Sequence, residues 1–206
     1  IARMSCYVNQ LKCLFERDCI ISDDSIRFEY RITNKAKNAV PFIYSAHPFL
    51  QAENNCQIEL PGNVKDIFMY VSSKNSGFAD SKWLKLDELQ KRQSLCGFDC
   101  SKEAFFKCFS NKLNIGKAAM FYPSSNEKIE IGFDAIHLPY LGIFISEGYD
   151  SLNNGDFRNK LIVGLEPTTG IGDELVTAKS TETLNRLAPS GQFRFWITIR
   201  YFHTQV

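Results

Sequence analysis

Ser25-Ile26-Arg27-Phe28-Glu29-Tyr30-Arg31-Ile32-Thr33 alternates without a break, with Ile26, Phe28, Tyr30 and Ile32 on one side and Arg27, Glu29, Arg31 and Thr33 on the other. A period of two with one apolar and one charged face marks a half-buried antiparallel strand. The same pattern returns late in the chain, where Phe193, Phe195, Ile197, Ile199 and Tyr201 interleave with Arg194, Trp196, Thr198 and Arg200. After the first strand, N-K-A-K-N at 34–38 is a polar turn, and 40–46 is predicted to fold back as its hairpin partner. Pro41 is tolerable there only near the start of the strand. Residues 66–72, 105–109, 118–122, 128–133 and 139–146 read as further strands, separated by turn clusters such as Pro123-Ser124-Ser125-Asn126 and Asn153-Asn154-Gly155-Asp156. Residues 82–92 read as an irregular loop with one helical turn. About nine strands at regular spacing and almost no helix predict an all-β antiparallel sandwich or barrel.

Composition narrows the classes. A chain of 206 residues with 44% hydrophobic content can bury one sizeable core, and no linker divides it, so a single domain over 1–206 is expected. A formal charge of +1 without a basic block speaks against nucleic acid and anionic membrane surfaces as partners. Apolar runs are too short to span a bilayer, and I-A-R-M-S-C lacks the apolar centre of a secretion signal, so the expectation is a soluble, cytoplasmic protein, monomeric or homodimeric. The opening residues already resemble a strand, which suggests a piece of a longer domain. Seven scattered cysteines do not form a disulfide framework and are expected to be reduced. Cys96, Cys100 and Cys108 have no histidine nearby to complete a metal site, so no metal is expected.

Two passages carry the chemistry. Leu161 to Gly170 reads L-I-V-G-L-E-P-T-T-G, an apolar strand that delivers Glu166 to its end, where Pro167 lacks an N–H and is predicted to stop the ladder. Ser45-Ala46-His47-Pro48-Phe49-Leu50 presents His47 in the same way, with Pro48 holding it extended. A histidine and a glutamate at one mouth are the equipment for giving one proton and taking another. The residues alone equally allow a structural acid and an ordinary loop histidine.

The ordered series S-I-R-F-E-Y-R-I-T-N, A-V-P-F-I-Y-S-A-H-P-F-L, L-P-Y-L-G-I-F-I-S-E-G, G-L-E-P-T-T-G and F-R-F-W-I-T-I resembles the aldose 1-epimerase, or galactose mutarotase-like, superfamily, from about Phe15 to the end. The resemblance implies an antiparallel supersandwich whose cleft takes an aldose and needs no cofactor. It implies His47 as the acid on the ring oxygen and Glu166 as the base on the C1 hydroxyl. Phe49, Tyr140 and Phe144 become candidate platforms for the sugar, and Lys107 and Glu147 candidate polar contacts. The chain departs from the family pattern in three ways. An N-terminal histidine and arginine have no counterpart here, Phe144 stands where many members carry tryptophan, and the aspartate that holds sugar hydroxyls has only Asp99 as a guess. A carbohydrate-binding or sensing module on the same scaffold is the alternative, and a purely structural sandwich the third reading.

Overall fold

The computed structural model describes residues 1–92, 95–149 and 160–203. In chain order the strands are β1 (Ala2–Val8), β2 (Cys13–Ile21), β3 (Ser25–Asn34), β4 (Val40–Phe42), β5 (Phe49–Gln51), β6 (Gln57–Glu59), β7 (Asp66–Ser72) and β8 (Lys82–Lys85). They continue with β9 (Ala104–Ser110), β10 (Lys117–Tyr122), β11 (Glu127–Phe133), β12 (Tyr140–Glu147), β13 (Leu161–Thr168), β14 (Asn185–Leu187) and β15 (Gln192–His203). Two short α-helices, α1 (Leu86–Arg92) and α2 (Leu175–Ser180), and two 3-10 turns, Lys74–Ser76 and Cys100–Lys102, complete the regular structure of the described residues.

A seven-stranded sheet runs β1-β2-β3-β15-β11-β10-β6 and packs against a six-stranded sheet, β5-β13-β12-β9-β7-β8, with β14-β4 as a small separate ladder. Alternation explains the layering. Tyr30, Phe195, Ile197, Ile131 and Met120 point from the first sheet into a core that Met69, Cys108, Leu141, Ile143, Val163 and Leu165 enter from the second. The fold is therefore the antiparallel sandwich the sequence predicted. The cysteines are free thiols. None of the described helices is long and apolar enough to cross a membrane.

Three local expectations fail. The strand at 25–34 has no hairpin partner at 40–46: β3 is flanked by β2 and β15, which leaves no open edge, and Val40–Phe42 pairs with Asn185–Leu187 instead. Residues 82–92 are not a loop but a strand, β8, followed by α1, whose Leu89 is fully buried. Pro167 does not end its strand; β13 continues to Thr168, and the Pro167 carbonyl takes the Ala46 N–H at 3.0 Å. The predicted turn at 153–156 lies outside the described residues.

Candidate functional site

The outer face of the six-stranded sheet is the one turned away from the core, and its register sets out the site in rows. Glu166, Gly142 and Phe109 stand abreast; the next row is Phe49, Gly164, Phe144 and Lys107; the third contains Ile162, Ser146 and Phe105. The two glycines matter for space. A Cβ on Gly142 would lie 3.3 Å from Glu166 Oε2, and one on Gly164 would lie 2.8 Å from Oε1. Their absence lets the carboxylate lie flat across the sheet.

His47 reaches this carboxylate because the chain from Tyr44 to Gln51 runs antiparallel to β13. The Tyr44 ring is packed between Phe15, Tyr30 and Phe195. Its backbone is gripped by the T-T of the E-P-T-T-G passage: Thr168 Oγ1 donates to the Tyr44 carbonyl at 2.9 Å, and the Tyr44 N–H donates to Thr169 Oγ1 at 2.9 Å. Past the Ser45–Thr168 bridge, His47 and Pro48 step out of the ladder, and pairing resumes at Phe49–Gln51. The step brings His47 Nδ1 to 3.2 Å from Glu166 Oε1. His47 is half exposed, at 46%, whereas Glu166 is 1% exposed.

Lys107 closes the other side. Its Nζ is 2.7 Å from Glu166 Oε2 and donates to both oxygens of Asp173, at 2.7 and 2.8 Å. A buried ammonium between two carboxylates compensates charge that would otherwise be prohibitive to bury. Lys107 and His47 are within ion-pair distance of Glu166, but neither approach has hydrogen-bond alignment, and both carboxylate oxygens remain without a hydrogen-bond partner. Proximity and alignment thus disagree; both oxygens are also closed to solvent, so a ligand's proton meets Glu166 only when His47 or Lys107 moves aside. Among the described residues His47, Glu166 and Asp173 also come close enough for one cation to reach all three. The Lys107 ammonium already supplies the positive charge between the two acids.

The floor beside this cluster is aromatic. Phe49 meets His47 edge-on at 6.1 Å and Phe144 at 5.5 Å. Tyr140, opposite Thr168, packs with Phe68, Phe109 and Ile171 one row beyond Glu166. Burial pushes its phenol up, so it stays a neutral hydroxyl. Burial likewise raises the Tyr70 phenol, with the charges of Asp173 and Glu174 acting in the same direction.

Of the residues singled out in the sequence, His47, Glu166, Lys107, Phe49 and Phe144 meet in one cluster, and Tyr140 borders it. Glu147 does not join them. It lies on the core side of β12, 2% exposed, where it accepts the Asp99 N–H at 2.9 Å and the Lys102 ammonium at 3.0 Å. Asp99 is also elsewhere, accepting the Ser101 N–H at the start of a short helical turn. The acid that does reach the cluster, Asp173, had no sequence signal beyond its place in the turn after T-T-G.

A separate groove of about 470 Å³ lies on the outer face of the seven-stranded sheet, lined by Arg3, Arg27, Arg31, Arg194 and Trp196 among others. Its carboxylates already pair: Arg3 with Asp18 at 2.7 Å, Arg31 with Glu16, Arg27 with Glu29 at 3.0 Å, and His137 with Asp134 at 2.8 Å, while Arg194 donates to Gln192 Oε1. Such ladders are how an exposed sheet face stays solvated, and among the described residues this groove offers no unpaired carboxylate or histidine.

No family model matches the sequence, and no curated protein matches it. Solved structures do. A proposed aldose 1-epimerase from Klebsiella pneumoniae superimposes with a TM-score of 0.72 at 14% identity, over 98% of this chain and 50% of that one. A second proposed aldose 1-epimerase, from Escherichia coli K12, gives a TM-score of 0.70 at 14% identity, over 98% of this chain and 64% of that one. A galactose mutarotase-like protein from Clostridium acetobutylicum gives 0.64 at 11% identity, over 98% and 62%. The fold is the galactose mutarotase-like sandwich. At these identities the likeness concerns the galactose mutarotase-like fold itself, and the chain spans only about half to two thirds of the length of these structures.

Proposed function

We propose that this galactose mutarotase-like chain interconverts the anomers of an aldose, with His47 as the acid and Glu166 as the base. The observation that carries the proposal is the convergence of His47 Nδ1 and Glu166 Oε1 to 3.2 Å. The chemistry demands such closeness. The ring oxygen and the anomeric hydroxyl of a pyranose are bonded to the same carbon, so the group that protonates one and the group that deprotonates the other must sit within a few ångströms of each other.

The protons and electrons balance as follows. Glu166 removes the proton from the C1 hydroxyl, the C1–O bond becomes a carbonyl, the bond from C1 to the ring oxygen breaks, and His47 delivers a proton to that oxygen. Rotation about C1–C2 presents the other face of the aldehyde, and the reverse transfers close the ring. Lys107, fastened to Asp173, fixes Glu166 from the side opposite His47, which favours a single carboxylate orientation. Phe49 and Phe144 offer flat apolar surface to the C–H face of the sugar.

A second reading, a sugar-binding module without turnover, is favoured by one observation: Lys107 stands 2.7 Å from the carboxylate oxygen that the reaction needs free. Saturation-transfer proton NMR between the H1 resonances of the two anomers separates the readings. Catalysed exchange that disappears in Glu166→Gln supports the isomerase; saturable binding of the sugar without exchange in the parent protein supports the binding module and overturns the proposal.

A further inference from the structure

We infer that Tyr70 is a positioning residue for the anomer exchange: its phenol anchors the turn that carries Asp173, and through Asp173 it sets how the Lys107 ammonium is shared with Glu166. The inference rests on the anomer-exchange reading and adds to it a side chain that acts on the base without touching the sugar.

Tyr70 sits at an irregular point of its strand. β7 and β9 pair squarely at Phe68 with Phe109 and at Met69 with Cys108, after which Val71, not Tyr70, stands opposite Lys107. Tyr70 and Val71 together face one residue, a β-bulge, and among the described residues no other ladder slips in this way. A bulge gives up ladder pairing and bends its strand, and re-aiming a side chain beside a site is one use of that cost. In an unbroken ladder Tyr70 would stand opposite Lys107. Instead its ring meets Phe109, in the preceding row, edge-on at 5.7 Å, and packs on the cluster of Phe68, Phe109 and Ile171.

There the phenol reaches the turn after T-T-G. Burial and the charges of Asp173 and Glu174 raise the phenol, and the Asp173 N–H, donating to its oxygen, works the other way. Asp173 carries the connection forward. Its two oxygens accept the Lys107 ammonium at 2.7 and 2.8 Å with hydrogen-bond alignment, whereas Lys107 lies 2.7 Å from Glu166 Oε2 without it. Glu166 is reached on that side only when Lys107 draws back, and a fixed Asp173 is the place it draws back to. Asp173 is 38% exposed, so water competes for its carboxylate. Without the phenol the turn loosens, Asp173 swings outward, and the ammonium is left to Glu166 alone, closing the oxygen that must take the sugar's proton.

Saturation-transfer NMR of anomer exchange, with sugar affinity from calorimetry, compares the parent, Tyr70→Phe, Asp173→Asn and the double variant. Tyr70→Phe keeps the ring and removes only the hydroxyl. It is expected to lower the exchange rate at saturating sugar about ten- to a hundredfold and to leave sugar affinity unchanged. Asp173→Asn is expected to fall at least as far, and the double variant to lose little beyond it, because Tyr70 acts only through Asp173. Amide hydrogen exchange gives a reading that needs no turnover: the Asp173 N–H is expected to exchange about five- to tenfold faster in Tyr70→Phe, the worth of one hydrogen bond. The inference is overturned when Tyr70→Phe exchanges anomers at the parent's rate, when its loss multiplies with that of Asp173→Asn, or when protection of the Asp173 amide is unchanged. The two levels separate: a parent protein that binds sugar without exchanging its anomers sinks the anomer-exchange reading and the positioning role with it, whereas an active parent with an indifferent Tyr70→Phe sinks only the positioning role.

Discussion

Lys107→Met tests the charge arrangement under the site. The substitution keeps most of the stem's volume and removes the ammonium that lies 2.7 Å from both Glu166 and Asp173. Asp173 is 38% exposed and can turn to water, but Glu166 is 1% exposed and cannot. Removing one partner of a buried ion pair costs about 3–5 kcal/mol. Urea unfolding of parent and variant at pH 7 measures this. Lys107→Met/Glu166→Gln, which discards both charges, is expected to regain most of the loss. A deficit below about 1 kcal/mol, or a double variant no more stable than Lys107→Met, refutes the reasoning.

Other outcomes follow from the same geometry. Gly164→Ala puts a Cβ 2.8 Å from Glu166 Oε1 and 3.1 Å from two Phe49 ring atoms. Because the obstacles are side-chain ends, the carboxylate and ring shift rather than the sheet: thermal unfolding is expected to lose no more than about 1.5 kcal/mol, while anomer exchange falls about a hundredfold. Unchanged exchange would show that the orientation of Glu166 is irrelevant. Burial, with the Glu166 charge adding to it, pushes the Cys108 thiol well up, so it stays protonated and is expected to resist iodoacetamide at pH 8 until the protein unfolds. The exposed Cys6 is expected to react in the native state, and equal labelling of the two would contradict the packing. Thr168→Val removes the hydroxyl that holds the Tyr44 carbonyl. A stability loss of about 1–3 kcal/mol, with a larger fractional loss of exchange than of sugar affinity, is expected if this clamp positions His47; loss of both in parallel would argue against it.

Much of this was readable in the sequence, and the failures have physical causes. β3 and β15 announced themselves because each has one face in the core and one charged face in solvent, so burial writes a period of two into the residues. Their adjacency, with Phe195 opposite Tyr30, was not readable, because a pairing between residues so distant in the chain leaves no local mark. The expected hairpin failed for that reason: a nearby polar turn suggested a neighbour, and a non-local strand took the place. Strands of three residues, such as β4, β5 and β14, are too short to carry a period at all. In the site, His47 and Glu166 stood out because a proline follows each, whereas Lys107 came only from the family resemblance. Glu147 could have been set aside from the sequence alone: in one strand it shares parity with Leu141, Ile143 and Ile145, not with Phe144, and so it faces the core. Asp173 was hidden because a turn residue's direction depends on the backbone of the turn.

The central claim, that His47 and Glu166 act as one proton-handling pair, is tested most directly by a double-mutant cycle on the anomer exchange rate. His47→Asn and Glu166→Gln are each expected to lower exchange by about 10²–10⁴-fold, and the double variant to lose little beyond the worse single, because either half is idle without the other. Losses that multiply in the double variant, or single variants that exchange at the parent's rate, would contradict the account.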